Sequence, residues 1–379
     1  MDKHRTFAGL DVHARSVSGH AMDELTGEVW QRLLPADPVE VGRWLESLPQ
    51  PVKATYEAGP TGYGLARFLW SRGITCSVAA PSKLQRPVGN RIKTDARDAE
   101  QLWRLLRLGE IVEVALPDAQ QEAARDLVRA REDVRGDLMR VRHRVTHLLL
   151  RQGIVYGGGK SWTVAHQRWL GTQRFDAPAR QLVFEDAVEA VVLTTDRRDR
   201  LDKAIEAMAA NSSYTLLVPR LCCLRGISTL TGFGLAVEIG DWRRFTGSSI
   251  GAFLGLVPSE DSSGQSRSQG SITKAGNTHV RRLLVEAAWQ HRRSYRTPSK
   301  IIRDRWELAP SAARVRGHQG NRRLHQRWQY FQARKKNTIA GRCQIFCVSS
   351  GYLCERRHCC DHDRQRGACR TARTAAGAC

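Results

Sequence analysis

The sequence predicts an α/β domain at the N-terminus followed by a mainly α-helical remainder. Three observations predict it. Residues 5–110 read as short apolar strands interleaved with helices; residues 118–152 change to a long helical period; from 175 onward that period persists, broken by Gly- and Ser-rich turns.

The strands come first. Residues 7–12, 17–22 and 28–33 are apolar runs divided by polar turns. Residues 39–48 read as a short helix and 52–57 as a buried strand, Val52-Lys53-Ala54-Thr55-Tyr56-Glu57. Gly59-Pro60-Thr61-Gly62 marks a turn before a helix at 63–72, and 74–80 is a strand stopped at Pro81. Three strands followed by helix–strand alternation predict a mixed sheet. At Thr94-Asp95-Ala96-Arg97-Asp98 a further helix begins. Ala124, Leu127, Val128, Val134, Leu138, Val141, Val145, Leu148 and Leu149 then recur at helical spacing, a long amphipathic helix of coiled-coil type. Gly157-Gly158-Gly159 breaks it, and 175–211 returns to helix. Two long helices about a loop predict an antiparallel arm, which serves equally as a plain bundle, a dimerisation element or a nucleic-acid contact. Beyond it lie a turn at 224–231, a helix closed by Gly255-Leu256-Val257-Pro258, an exposed loop at 259–273 and a helix at 279–289. The expected divisions are 1–112, 113–212, 213–335 and a tail, 336–379.

Charge narrows the partner. Sixty Lys and Arg stand against 38 Asp and Glu, a net +22, which points to a polyanion. Residues 281–342 carry 17 cations and three acids, interleaved with Trp289, Tyr295, Trp306, Trp328, Tyr330 and Phe331. That mixture suits phosphate contacts and base stacking, and equally a helix with its aromatics turned inward. No apolar run is long enough to cross a bilayer and the first residues lack a signal peptide's apolar core, so a cytoplasmic protein with no membrane role is expected.

Four acids stand out against this background. Asp11 ends Phe7-Ala8-Gly9-Leu10-Asp11, Glu57 ends the buried strand, and Asp95 and Asp98 share a helix face three residues apart. Asp at a helix start is ordinarily a cap for orphan N–H groups. An acid where a buried strand emerges is costly unless paired or bound to metal, and two such acids plus the helix pair form a constellation. Four oxygen donors suit Mg²⁺ beside a phosphodiester. Lys93 and Arg97 beside the pair fit a phosphate-facing edge. A second candidate is the segment Ser259-Glu260-Asp261-Ser262-Ser263-Gly264, where a serine near Lys274, Arg281 and Arg282 could attack phosphate if activated; spacing does not separate Ser262 from Ser263. The late cysteines, with His358, Asp361 and His362, do not have the spacing of a zinc site.

Together these residues resemble the insertion-sequence 110 transposases. Gly9-Leu10-Asp11-Val12-His13, Tyr56-Glu57-Ala58-Gly59-Pro60-Thr61-Gly62 and Lys93-Thr94-Asp95-Ala96-Arg97-Asp98-Ala99 resemble that family's DEDD motifs. Gly255 to Gly264, then Ile272-Thr273-Lys274-Ala275-Gly276-Asn277-Thr278-His279-Val280-Arg281-Arg282, resemble its C-terminal transposase domain. The likeness spans roughly residues 5–335. It implies a RuvC-like, RNase H-type N-terminal domain with Asp11, Glu57, Asp95 and Asp98 as its Mg²⁺ tetrad. It implies Ser263 as the nucleophile, forming a phosphoserine link to DNA without ATP. It also implies a homo-oligomer, acids of one subunit meeting the serine of another, and an element-encoded guide RNA. Competing expectations are a nuclease that uses the acids alone and a nucleic-acid binder without catalysis.

Two departures from the family stand out. Gly226-Ile227-Ser228 resembles a helix-hairpin-helix turn, but serine occupies a usual glycine position, which is expected to weaken phosphate contact. The Cys- and Arg-rich tail resembles an out-of-frame translation beginning near residues 336–342, which would remove a final helix and put activity in question.

Overall fold

The computed structural model describes residues 4–84, 95–246, 249–264 and 266–334. The chain forms two compact units, one ending at Asp118 and one beginning at Ala119. Lys93 and the 336–379 tail lie outside the described residues.

The first unit is a five-stranded mixed sheet. β1 (Thr6–Val12), β2 (Ser16–Asp23) and β3 (Val29–Pro35) form an antiparallel meander. β4 (Val52–Glu57) and β5 (Thr75–Ala79) continue parallel to β1, giving the order β3-β2-β1-β4-β5. This mixed α/β architecture is consistent with an RNase H-like domain. Parallel strands need crossovers, and α1 (Pro38–Glu46) and α2 (Gly64–Ser71) belong to those connections. Asp37 caps α1, its carboxylate accepting from Val39 N at 2.9 Å, and Pro38 follows at the first turn, where its missing N–H does no harm.

The strands separate their faces with a period of two. Ala8 and Leu10 of β1 and Ala54 and Tyr56 of β4 are fully buried and pack in one core with Val41, Trp44, Leu45 and Leu69 of α1 and α2. Gly9, Asp11, Thr55 and Glu57 therefore point to the opposite face. That face is covered by α3 (Asp95–Arg107), which buries Ala99, Leu102, Trp103, Leu105 and Leu106.

The second unit is helical. α4 (Ala119–Arg151) and α6 (Pro178–Ala210) are each 33 residues long, with α5 (Val164–Thr172) between them. Ala124 and Val128 share a core with Ile205 and Ala209, Arg131 pairs with Asp202, and Leu138 to Leu149 pack with Phe184 and Val191, so α4 and α6 run antiparallel. α7 (Leu217–Cys222), α8 (Thr229–Ile239), α9 (Ser249–Phe253), α10 (Thr278–Trp289), α11 (Lys300–Glu307) and α12 (Ser311–Ala333) complete the unit. α8 is buried from Gly232 to Ile239 and, apart from Glu238, apolar over that stretch, as suits a central helix.

Two expectations are corrected. The segment 259–273 is not a loop but an antiparallel hairpin, β6 (Pro258–Ser263) and β7 (Ser266–Ile272), turned at Gly264 with φ +56°. All of β6 is exposed, so the hairpin carries no apolar alternation that would mark it in sequence. Ser228 loses nothing by not being glycine: its φ of −93° is extended backbone, and it caps α8, accepting from Thr231 N at 3.4 Å. The glycine that the turn requires is Gly226, with φ +91°, where a Cβ would lie 2.5 Å from Ala287 O.

Candidate active site

The acid cluster is built by the sheet. Asp11 and Glu57 lie at the ends of adjacent parallel strands, Asp11 next to last in β1 and Glu57 last in β4, one residue beyond the pair Leu10–Tyr56 and on the same face. Gly9 decides how near α3 can come. A Cβ there would lie 2.0 Å from Ala99 O and 2.7 Å from Trp103 N, so only glycine lets the helix backbone seat on the strand. Trp103 Nε1 donates to His20 Nδ1 of β2 at 2.9 Å, fixing the helix along its length. Asp95 and Asp98, at the first turn of α3, are thereby carried to Asp11.

Electrostatics records the gathering. Burial pushes the Asp11 carboxyl above its usual range; His13 opposes this and the charges of Asp95 and Asp98 reinforce it. His13 Nε2 stands 3.1 Å from Asp11 Oδ2 and 3.6 Å from Asp95 Oδ2, bridging the two. Asp11 and Glu57 both line a cavity of about 970 Å³ with His13, Asp37 and Thr61. The Tyr56 hydroxyl, kept protonated by burial, donates to Gly62 O at 3.1 Å and pins the turn that follows Glu57. His13 is the site residue that sequence reasoning leaves without a role. Its one signal there is position, two residues after Asp11 where the same strand ends.

These donors fit a divalent cation. One ligand atom each from Asp11, His13 and Asp95 lies within 4.8 Å of the others. Carboxylate oxygens suit a hard dication and an imidazole adds a ligand acceptable to several. Arg97 is exposed on the same helical turn as the acids.

The serine candidates sit on the hairpin of the second unit. Ser262 Oγ donates to Glu260 Oε1 at 3.1 Å, and Ser263 pairs with Ser266 across the turn. As neighbours on a strand they face opposite ways. Lys274, just after the hairpin, is exposed with φ +55°. Arg281 and Arg282 have other duties. Arg281 Nη1 donates to Leu254 O at 2.8 Å and Ala275 O at 2.9 Å. Arg282 pairs with Glu132 and with Glu286. Both guanidiniums are half-buried and engaged by these internal partners.

The interleaved aromatics divide. Tyr295, Trp328 and Phe331 are buried; Trp289 and Tyr330 are exposed, the latter with the Arg334 guanidinium 4.2 Å from its ring centroid. Helix α12 holds Arg314, Arg316, Arg322, Arg323 and Arg327 and no acid.

Comparison with known proteins decides the family. Residues 8–153 match a transposase model of the IS110 DEDD type, and residues 218–303 match the model described as "Transposase IS116/IS110/IS902 family". Identity is 38% to y4qE of Sinorhizobium fredii, which carries a transposase name, over 89% of this chain and 85% of that protein. It is 31% to the "Transposase for insertion sequence element IS1533" of Leptospira borgpetersenii, over 89% of this chain and 99% of that protein. This chain belongs to the IS110 transposase family. The transposase is thus an enzyme acting on DNA, and its DEDD domain points to a divalent metal ion. Among the described residues of the transposase, no helix is long and apolar enough to cross a membrane.

Proposed function

We propose that this transposase cuts and exchanges DNA strands at the ends of an insertion sequence, with Asp11, Glu57, Asp95 and Asp98 holding Mg²⁺ and Ser263 as nucleophile. The observation that supports it is the convergence of Asp95 and Asp98 on Asp11, on the sheet face that also carries Glu57. The ion would be held chiefly by Asp11 and Asp95 with His13 adjacent, and supplies Lewis-acid polarisation of a phosphoryl oxygen.

The chain's own residues do the rest. The charges of Asp95 and Asp98 disfavour the ionised form of Asp11, and a shared cation would offset that repulsion. His13 orients Asp11 by hydrogen bond and stands close to Asp95, tying the two carboxylates together. The Ser263 hydroxyl forms a bond to phosphorus as the bond to the leaving sugar oxygen breaks; the serine proton passes to solvent, and the sugar oxygen takes one up from solvent to leave as a hydroxyl. The phosphoserine ester retains the bond energy, so rejoining to a new strand reverses the step without ATP. The exposed arginines of α12 and Lys274 contact phosphate, with Arg97 beside the acids. Lys93 keeps the same proposed role. Arg281 and Arg282 take part only indirectly, through the contacts above.

We read the family's element-encoded guide RNA and its assembly as a homo-oligomer onto this chain, with the α4–α6 pair as the coiled-coil arm. The net +22 favours a nucleic-acid-rich complex. The test is a 5′-labelled nicked element end. A label linked covalently to protein, lost in Ser263→Ala and kept in Ser262→Ala, supports serine attack; cleavage undiminished in Ser263→Ala replaces it by water attack. RNA recovered with the purified protein, and its mapping beside the gene, tests the guide.

A further inference from the structure

The strand that carries Ser263 is exposed along its whole length, so the position of the hairpin tip is set where the hairpin joins the second unit. That junction is closely determined. Thr273 N donates to Val257 O at 2.9 Å and Lys274 N to Gly255 O at 3.0 Å, which extends the ladder below the strands. A Cβ on Gly255 would fall 2.2 Å from Ala275 O, and one on Gly276 1.9 Å from Phe253 O. Both glycines have positive φ, +62° and +74°. The two legs therefore pass at backbone contact.

Two side chains fasten this crossing. Arg281, on α10, donates from one nitrogen to Leu254 O before the hairpin and to Ala275 O after it. Asn277 follows directly and is held from both ends of its amide. Its Oδ1 accepts from Val280 N at 3.0 Å and caps α10, while its Nδ2 donates to Glu238 Oε2 at 2.7 Å. Glu238 lies on the central helix α8 with its side chain 1% exposed. Arg129 donates to both its oxygens at 3.0 Å, and His279 Nδ1 stands 3.3 Å from Oε1. A carboxylate buried in an otherwise apolar helix is retained only with such partners. Here one of those partners is Asn277, the residue that caps α10 just after the hairpin.

We propose that Arg281 and Glu238 form a clamp at the hairpin root and act as positioning residues for Ser263. This rests on the reading of Ser263 as nucleophile for its catalytic consequence, but the clamp itself is a claim about the hairpin's order. A lever fixed only at its base transmits a small angular change at the root into a large displacement at the tip. Because a misplacement of about 1 Å is worth on the order of 10²-fold in rate, loosening the root lowers turnover without removing any group that touches DNA.

The test uses the full chain with Arg281→Lys, Glu238→Gln and Asn277→Ser. The last keeps a helix cap and removes only the donor to Glu238. Two readouts are taken below the melting temperature. Amide hydrogen exchange of peptides covering 258–276 is expected to quicken at least tenfold more than that of peptides from α4, α8 and α12. Strand cleavage of an element end is expected to lose tenfold or more in kcat, with the half-saturating DNA concentration within about twofold. Unchanged exchange at 258–276 overturns the clamp. Exchange quickened equally throughout the unit overturns it too, since the residues would then support only the core. Local quickening with unchanged kcat overturns the catalytic part. Ser263→Ala in the same assay separates the two claims: if it still cleaves, the nucleophile reading falls and hydrogen exchange alone judges the clamp. Asn277→Ser remains informative where either charged variant fails to fold.

Discussion

Asp11 stands on a strand with buried neighbours before it and a helix seated across its face, whereas Ser263 stands on a strand with every residue exposed. The two proposed reactive oxygens are thus held by opposite means. The acid site is fixed by packing along a whole element: Gly9 against α3, Trp103 against His20, Tyr56 against the Gly62 turn. The hairpin is held at its root, by polar contacts and by Ile272 packed against the core. The difference teaches where tolerance lies. An acid site of this kind fails when a core contact is altered at a distance, and a hairpin of this kind fails when its root is altered, while its exposed body accepts change.

The largest effects separate chemistry from stability on each side. Asp11→Asn is expected to lower strand cleavage by at least about 10³-fold while the melting temperature does not fall, because it removes a partly buried charge that Asp95 and Asp98 already oppose. Mg²⁺ should raise the melting temperature of the parent protein and not of Asp11→Asn; equal rises would end the metal role of Asp11. Ser263→Ala is expected to lose the covalent adduct to a comparable degree with no thermal change, and Ser262→Ala to retain it.

The next effect probes the packing directly. Gly9→Ala places a methyl group 2.0 Å from Ala99 O, so α3 must move. A destabilisation of about 1–3 kcal/mol is expected, with a ten- to hundredfold loss of cleavage as Asp95 and Asp98 leave Asp11. Gly264→Ala at the hairpin tip meets no atom within 4 Å, and its φ of +56° costs only about 1 kcal/mol. Thermal melts of the two variants beside their cleavage rates would show whether one position is global and the other local; comparable melting losses would erase the distinction.

Acid should attack the second unit through its buried polar groups. Burial alone would raise the Glu238 carboxyl, but hydrogen bonds from His279 and Arg129, with Arg129's charge and Asn277, outweigh it and bring it to about 2. A depressed carboxyl contributes stability that is full above its unfolded value near 4.5 and is lost as pH falls toward 2, in all about 3 kcal/mol. Burial brings His291 to about 3, so its neutral form is favoured and its contribution declines as pH falls below its ordinary 6.5. Stability should therefore erode from about pH 6.5 downward and steepen below 4.5. Glu238→Gln should lower stability at pH 7 and flatten the steeper part; an unchanged acid branch would remove Glu238 from the account.

Much of this is legible in the sequence, and unevenly. The strands are, because alternating Ala8, Leu10 and Gly9, Asp11 declare two faces. The long helices are, because their apolar residues keep one period. The convergence of Asp95 with Asp11 is legible only through the family resemblance, since nothing in spacing tells that Gly9 admits the α3 backbone. The hairpin at 258–272 is not legible, for a Ser- and Gly-rich strand exposed on both faces has the composition of a loop. Arg281 and Arg282 read as surface cations because partners such as Leu254 O and Glu132 are distant in sequence, and a carbonyl offers no sequence signal at all. Helix α5, short and between two long ones, escapes notice for want of a full apolar period.

The smallest effect concerns the cationic surface. Arg316 and Arg322 are exposed on α12, a helix with no acid of its own, so each is available to a phosphate. Removing one phosphate-binding cation should lower the slope of log affinity against log salt by about 0.9 on duplex DNA. Arg316→Ala with Arg322→Ala should therefore shift the slope by roughly two, weaken binding at low salt severalfold, and leave the rate of bound DNA unchanged. Arg282→Ala makes the contrast sharp. Its guanidinium is engaged by Glu132 and Glu286, so its removal should cost thermal stability and leave the salt slope alone. A salt slope that moved with Arg282 and not with the α12 pair would return the phosphate surface to α10, beside the hairpin root, and the division between an exposed binding face and an internally engaged clamp would no longer hold.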